Sequence, residues 1–195
     1  MAIKPILFNT EMVRAILDGR KTVTRRLVKF LSRKNPNWTG YVKDGLMLYN
    51  GRNEPCIKKA PYQLGDILYV RESYSELSFG YVYKADGENI DHLGNVIKWH
   101  PSIHMPKEAA RIWLKVTNVR VERLQEITID GIRNEGISSM AVHAGDMEIA
   151  LKEWKNLWNS TIKKTDLDSY GWEANPYVFV IEFIRIDKPE EIQNA

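Results

Sequence analysis

The residues best suited to chemistry lie in one short segment, Gly19-Arg20-Lys21-Thr22-Val23-Thr24-Arg25-Arg26. Lys21 supplies a mobile point charge, whereas Arg25 and Arg26 supply flat guanidinium forks that fit a phosphate or stack on a base. Thr24 adds a hydroxyl group that can donate or accept a hydrogen bond. These residue types at this spacing are suited to binding an anion, although basic loops are also common as solvated surface.

The charge distribution along the chain favours the same interpretation. The 195 residues carry a net charge of only +3, but residues 1–70 have 13 Lys and Arg against 5 Asp and Glu. Residues 71–195 have 15 Lys and Arg against 20 Asp and Glu. The segment from Gly19 to Lys43 contains eight basic residues and no acidic residue. Such asymmetry indicates a surface that faces a polyanion, and a solvated basic face is the alternative.

Several classes of protein are disfavoured by the composition. The single cysteine, Cys56, cannot form an internal disulfide, and one Cys with four scattered His residues argues against a zinc site. Met1 to Thr10 lack the apolar run of a signal peptide, and no stretch approaches the roughly 18 apolar residues of a membrane span. We therefore expect a cytoplasmic protein that does not associate with a membrane and needs neither a metal nor an organic cofactor.

Three helices are predicted around these residues. The first, Glu11 to Asp18, has Thr10 as its N-cap and ends at Gly19, which can take the left-handed conformation of a helix end. Apolar residues at three-four spacing predict the clearest helix, Asp146 to Ser160, whose tryptophans are expected in the core rather than stacked on bases. A short helix is predicted from Thr128 to Asn134.

Strands are predicted for much of the remaining chain. Tyr41 to Tyr49 is typical of a hairpin that turns on Asp44-Gly45, and a change of phase at Thr117-Asn118 predicts a bulge within a longer strand. Residues 85–110 are expected to be loop. The other predicted strands are Ile67 to Glu72, Gly80 to Lys84, Arg111 to Leu124 and Tyr177 to Ile184. This order favours a small, mostly antiparallel barrel with helices at its ends.

Three further sites contain residues that could contact a ligand. Arg71 and Glu72 end a strand and would lie at a sheet edge or barrel mouth, with an ordinary strand-end salt bridge as the alternative. Trp99 could stack on a base and His104 could titrate near neutral pH, although a packed loop would also explain both. Glu135 follows the short helix, where a lone glutamate is usually solvated.

The motif resembles the Gly-x-Lys-x-x-x-x-Arg signature of ASCH domains, a branch of the PUA-like superfamily, through Gly19, Lys21 and Arg26. The resemblance continues through Gly65-Asp66 and the strand after it, Ile112 to Leu124, Glu135-Gly136 and Tyr177 to Arg185. The tract from Trp99 to Arg111 is similar to the longer ASCH-domain proteins of phages and prophages. Many members carry Glu where this chain has Thr24.

The resemblance implies an α+β fold, a PUA-like, mostly antiparallel β-barrel with short helices at its ends and long loop insertions. Residues 1–187 would form one domain with insertions near 30–60 and 75–110, followed by a polar tail over 188–195. A cleft lined by the basic motif would bind RNA or a modified nucleotide. The residues expected to contact that ligand are Arg20, Arg25, Arg26, Arg71, Glu72, Trp99 and His104.

Catalysis is the alternative that the resemblance implies. Small bacterial ASCH proteins with a similar motif are amidohydrolases that deacetylate acetylcytidine nucleosides, and their working residues match Lys21, Thr24 and Glu135. Thr24 would be the nucleophile and Lys21 the base, with Glu135 positioning Lys21 or the cytosine amine. Cleavage of single-stranded RNA is another activity ascribed to ASCH members, and binding of a host or phage protein is a further alternative.

Overall fold

A computed structural model describes residues 1–29, 41–43, 47–49, 57, 59–87, 89–91 and 93–190, with only the backbone given for 41–43 and 47–49. The strands are β1 (Ile3–Leu7), β2 (Val23–Leu27), β3 (Tyr41–Lys43), β4 (Met47–Tyr49), β5 (Ile67–Arg71), β6 (Tyr74–Leu77), β7 (Gly80–Tyr83), β8 (Trp113–Arg123) and β9 (Tyr177–Ile186). The helices are α1 (Thr10–Leu17), α2 (Ile129–Asn134), α3 (Met140–Ala144), α4 (Met147–Ser160) and α5 (Leu167–Tyr170).

The centre of the fold is a five-stranded sheet in the order β1-β5-β8-β9-β2. Strand β1 pairs with β5 in parallel, and the other three pairings are antiparallel. The register between β8 and β9 shifts between Val116 and Asn118, where the change of phase predicted a bulge. The expected α+β class, with a mostly antiparallel sheet, is confirmed.

The expected closure of this sheet into a barrel is wrong for the residues that the structure describes, because β1 and β2 are its two edges. Edge strand β1 contains Pro5, which has no N–H to donate to a further strand. Helix α1, which connects β1 to β2, packs Val13 and Ile16 into the core. A side chain bridges the gap, since Arg26 Nη2 donates to the carbonyl oxygen of Leu7 at 3.0 Å.

Both faces of β9 are buried, which explains its nearly continuous run of apolar residues. Phe179 and Ile181 belong to the core that the curved sheet shares with α1, whereas Val178 and Val180 pack against α4 on the opposite face. Two tryptophans of α4 lie in this second core, as their helical spacing predicted. A third hydrophobic cluster surrounds Trp113 of β8. It also contains Ile67 of β5 and residues from the segment between these strands, including Tyr74, Met105 and Ala109.

The ends of several elements differ from the sequence-based expectation. The N-cap of α1 is Asn9 rather than Thr10, because the Asn9 side chain accepts a hydrogen bond from Met12 N at 2.8 Å. Strands β1, β2 and β6 and helices α3 and α5 were not predicted. Short 3-10 turns at Lys84–Asp86 and Ser102–His104 interrupt the predicted loop.

The predicted hairpin is present as the pair β3 and β4, although its turn lies outside the described residues. Most of the expected insertion near 30–60 also lies outside them. Within the ranges that the structure covers, none of the helices has the length and apolar character needed to cross a membrane.

The turn before β5 is fixed by the buried carboxylate of Asp66. It accepts hydrogen bonds from Ala2 N at 2.9 Å, Gln63 N at 3.0 Å and Lys4 Nζ at 2.7 Å. Burial alone would raise the pKa of Asp66, but the hydrogen bonds from Lys4 and the two backbone N–H groups outweigh it and place the pKa below its usual value. This carboxylate therefore ties the N-terminus to the central sheet.

We predict that Asp66→Asn lowers the free energy of unfolding at neutral pH and that the loss disappears in acid. Because the folded-state pKa lies below the unfolded value of about 3.9, ionised Asp66 stabilises the fold above that value. The contribution is then lost as the pH falls through the folded-state pKa. Urea denaturation of both proteins between about pH 7 and 3 measures this difference, and a difference independent of pH would contradict the prediction.

Candidate functional site

The basic motif begins at the end of α1 and continues into an edge strand. Gly19 has a φ of +74° and reverses the chain after the helix, as expected for a C-terminal glycine. Lys21 then forms an isolated antiparallel bridge with Glu135, and β2 pairs with β9 from Val23 onwards. Positions 21 and 25 therefore lie on one face of an extended segment, whereas Thr24 lies on the other.

Lys21 is buried against Glu135. Its Nζ donates to Glu135 Oε2 at 2.7 Å, to the Glu135 carbonyl oxygen at 2.9 Å and to the Val23 carbonyl oxygen at 2.8 Å. Burial is the largest influence on this amine and lowers the pKa of Lys21, while the Glu135 carboxylate acts in the opposite direction. All three ammonium protons have acceptors, so the group is a closed ion pair in this state.

Arg25 binds the other oxygen of the same carboxylate. Its Nη1 donates to Glu135 Oε1 at 3.1 Å, and its Nη2 donates to Glu122 Oε1 at 2.7 Å. The guanidinium carbon lies 5.8 Å from the centroid of a ring of Trp154. Arg25, predicted as a ligand contact, is thus a buried link between β2, β8 and the end of α2.

The close packing around Lys21 requires Gly136. Its φ is +96°, and a Cβ atom there would lie 2.7 Å from the Ala15 Cβ and 3.1 Å from the Lys21 Cβ. The exposed Arg20 side chain donates to the Gly136 carbonyl oxygen at 2.7 Å and to Asp18. The Glu-Gly sequence therefore positions a carboxylate and lets α1 approach it closely.

Thr24 is 2% exposed and lines a cavity of about 30 Å³ between β2, α1 and α4. Glu135 and Trp154 line the same cavity. Among the described residues the Thr24 hydroxyl has no hydrogen-bond partner. The structure therefore places Thr24 and Glu135 on one cavity, but the Lys21 ammonium group is directed to Glu135 and to backbone oxygens.

Two arginines flank the end of β1. Arg26 Nη2 contacts the Leu7 carbonyl oxygen, and its guanidinium carbon lies 5.3 Å from the centroid of the Phe8 ring. Arg71 is the register partner of Leu7 in β5, and its Nε donates to the Met105 carbonyl oxygen at 2.7 Å. Neither guanidinium forms an ion pair with a carboxylate in the part of the chain that the structure describes.

Burial lowers the pKa of Arg26, although an arginine remains protonated in proteins. Helix α1 begins two residues after Phe8, and its first N–H groups carry the positive end of the helix dipole. The end of β1 is consequently followed by the positive end of this dipole, where Glu11 in the first turn of α1 is paired with Arg14.

Glu72 does not share this position with Arg71. It is buried and accepts two hydrogen bonds from Arg111, at 2.9 and 3.1 Å, while Arg111 also bonds Asp86 and lies over the Tyr83 ring. Burial is the main influence and raises the pKa of Glu72, against the opposing effect of Arg111. Arg111 was not predicted to have a role, because only the folded chain places it beside Glu72.

The segment with Trp99 and His104 lies alongside Arg71. Trp99 is half-buried and His104 is exposed, and the Tyr74 hydroxyl donates to the His104 carbonyl oxygen at 3.2 Å. The next residue, Met105, supplies the carbonyl that holds Arg71. Through these backbone contacts the loop positions Arg71 beside β1.

A larger cavity, of about 410 Å³, opens near the other side of Arg25. Four of its charged lining residues are joined to one another, since Glu122 and Glu182 both accept from Arg120 and Glu122 also accepts from Arg25. The other two, Glu126 and Asp130, accept from Arg123 N and from the Arg133 guanidinium group. The sequence did not indicate that Glu122 and Trp154 contact Arg25. Glu122 lies near the end of a predicted strand, and Trp154 belongs to the apolar periodicity of a predicted helix.

Comparisons with known proteins give similarities of fold only. No protein-family model matches the chain, and no curated protein matches it. An ASCH domain from Lactobacillus crispatus JV V101 is 12% identical with a TM-score of 0.42, covering 96% of this chain and 81% of that chain. Protein EF3133 from Enterococcus faecalis V583, of the family model DUF984, is 10% identical with a TM-score of 0.45, covering 100% and 82%. At these scores neither similarity bears on function.

We predict that Gly136→Ala destabilises the fold far more than Gly19→Ala. Both glycines have positive φ, which costs an alanine about 1 kcal/mol. Only at Gly136 does the added methyl also overlap Ala15, which raises the expected loss to about 3 kcal/mol. Chemical denaturation measures both values, and equal losses would show that the contact with α1 adds nothing.

Proposed function

We propose that this chain binds RNA or a nucleotide through phosphate groups at the end of β1. The observation that carries the proposal is the pair Arg26 and Arg71, two partly buried guanidinium groups that flank Leu7 and have no carboxylate partner in the described ranges. Arginine guanidinium groups bind phosphate in a bidentate geometry and also stack on bases. A buried cation without a counterion is costly unless a ligand supplies the negative charge.

The neighbouring residues support an anionic ligand in different ways. The start of α1 adds N–H groups and the positive end of its dipole. His104 lies exposed one residue from the carbonyl that holds Arg71, and half-buried Trp99 is available for stacking in the same loop. Arg20 is exposed beside Gly136 but is paired with Asp18, so it adds less free charge than Arg26 and Arg71. The resemblance of the motif to ASCH domains, whose PUA-like relatives mainly bind RNA, favours RNA among the polyanions.

Deacetylation of an acetylated cytidine is the second candidate, and one observation favours it. The Thr24 hydroxyl is unbonded within the described structure and lines the same cavity as Glu135, next to the amine whose pKa burial lowers. Thr24 Oγ would attack the acetyl carbonyl and give its proton to Lys21. Lys21 would pass that proton to the cytosine N4 as the C–N bond breaks, which releases cytidine with a neutral amino group, and water would then hydrolyse the threonine ester to acetate and regenerate Thr24.

Two features make binding the stronger candidate. The Lys21 amine would first have to lose a proton, although its three donors are engaged by Glu135 and Val23. The cavity beside Thr24, at about 30 Å³, holds about one water molecule rather than a nucleobase. Binding at Arg26 and Arg71 requires neither a change of protonation nor a wider cavity.

We predict that Arg26→Gln and Arg71→Gln each weaken the binding of a fluorescently labelled single-stranded RNA about 5- to 10-fold at low salt. Each loss removes one phosphate contact, so the slope of log K against log salt falls by about 1. Arg133→Gln is the control, because Arg133 is already bonded to Asp130 and to the Val142 carbonyl oxygen. Binding that is unaffected by both substitutions, or equally weakened by the control, contradicts the proposal.

The second candidate is tested by incubating the protein with acetylcytidine and measuring the cytidine formed. If it is correct, the wild-type protein produces cytidine, and Thr24→Val, which keeps the side-chain shape but removes the nucleophile, reduces the rate at least about 100-fold. Arg26→Gln keeps Thr24 and Lys21, so it shows how much the rate falls when substrate binding alone is weakened. A wild-type rate no higher than that of Thr24→Val excludes this activity.

A further inference from the structure

The small cavity beside Thr24 is lined by a tryptophan whose buried indole N–H has no hydrogen-bond partner among the described residues. In the part of the chain that is described, the buried side-chain nitrogen and oxygen atoms without a hydrogen-bond partner are Trp154 Nε1 and Glu153 Oε2. Trp154 lines the cavity and is 3% exposed. Thr24 lines the same cavity. A buried N–H without an acceptor is rare in folded proteins and costly, so an acceptor placed beside it would be bound favourably.

The other buried tryptophans show that this feature belongs to Trp154. Trp113 Nε1 donates to the Ala110 carbonyl oxygen at 3.2 Å, and Trp158 Nε1 donates to the Tyr170 carbonyl oxygen at 2.9 Å. The fold therefore supplies acceptors for the indole N–H groups of those two residues. The N–H of Trp154 is left without one at the position where the chain lines a cavity.

The chemistry of the lining selects the kind of atom that would fill the cavity. The indole N–H can only donate, a threonine hydroxyl can donate, and the guanidinium group of Arg26 adds further donors. The one carboxylate on the cavity, Glu135, already accepts from Lys21 through Oε2 and from Arg25 through Oε1. A volume of about 30 Å³ holds a single oxygen atom with its lone pairs, such as a water molecule or a carbonyl oxygen.

We propose that this cavity recognises one carbonyl oxygen of a base in the bound RNA, with Trp154 as the residue that determines specificity. This inference rests on the proposed function, because Arg26 lines the cavity and also flanks β1, where the phosphate is proposed to bind. A water molecule occupies the cavity in the free protein and is displaced when the base carbonyl enters. RNA bases that carry no carbonyl group leave the indole N–H unsatisfied and bind less tightly.

The test compares the affinities of labelled oligouridylate and oligoadenylate, because uracil has two carbonyl groups and adenine has none. Wild-type protein is expected to prefer oligouridylate. Trp154→Phe, which removes the indole N–H, should lower the affinity for oligouridylate about 5- to 10-fold and leave that for oligoadenylate unchanged. Thr24→Val should reduce the same preference. Trp113→Phe is the matched control, because it removes an N–H that already has an acceptor.

The outcomes separate this inference from the proposed function. If both RNAs bind in a manner that depends on Arg26 and Arg71, but the ratio of affinities is the same in Trp154→Phe as in wild type, the carbonyl site is overturned and the proposed function stands. If neither RNA binds the wild-type protein more tightly than it binds Arg26→Gln, the proposed function and the inference both fail. A similar change of ratio in Trp113→Phe would assign the effect to lost packing and overturn the specific role of Trp154.

Discussion

The rest of the structure depends on one buried carboxylate. Glu135 holds the ammonium group of Lys21 with one oxygen and the guanidinium group of Arg25 with the other, and all three side chains are almost completely removed from solvent. Removing charges from water is costly, so each member of such a group is stable only while its partners are in place. The group connects the end of α2 to the segment that becomes β2, and Arg25 extends it to Glu122 on β8. Strand β2 is an edge strand, and these ion pairs attach it to the end of α2 and to β8 in addition to its pairing with β9.

This interaction also decides which polar groups remain for a ligand. Because Lys21 and Arg25 are paired with the carboxylates of Glu135 and Glu122, the most basic part of the sequence contributes less free charge than its composition indicates. Arg26 lies on the opposite face of β2 and reaches the end of β1 instead. The register partner of Leu7 in β5 is Arg71, whose Nε is held by the carbonyl of Met105 rather than by an acid. Charge that is fully paired stabilises the fold, and charge that lacks a partner is available for binding.

The elements that could be predicted from sequence are those with a strong local signal. Helix α4 shows a clear apolar periodicity, Gly19 ends α1, and the change of phase in β8 marks its bulge. Strand β2 could not be predicted, because its residues Thr-Arg-Arg have no apolar alternation and are buried only through partners distant in sequence. Glu135 was identified through the resemblance of the motifs to ASCH domains, but its two partners follow from the fold. Trp154 was correctly placed in the core, yet no sequence pattern distinguishes it from Trp158, whose indole N–H has an acceptor.

The open sheet accounts for the position of the proposed site. In a closed barrel β1 and β2 would satisfy each other's backbone groups, and no side chain would be needed between them. Here α1 connects the two edge strands and packs into the core, and the Arg26 side chain contacts the Leu7 carbonyl oxygen. The cavity beside Thr24 lies at the same edge strand, β2, and is also lined by side chains of α1 and α4. A phosphate near Arg26 and a base oxygen in that cavity would therefore both lie where the sheet fails to close, at the end of the strand that Glu135 holds in place.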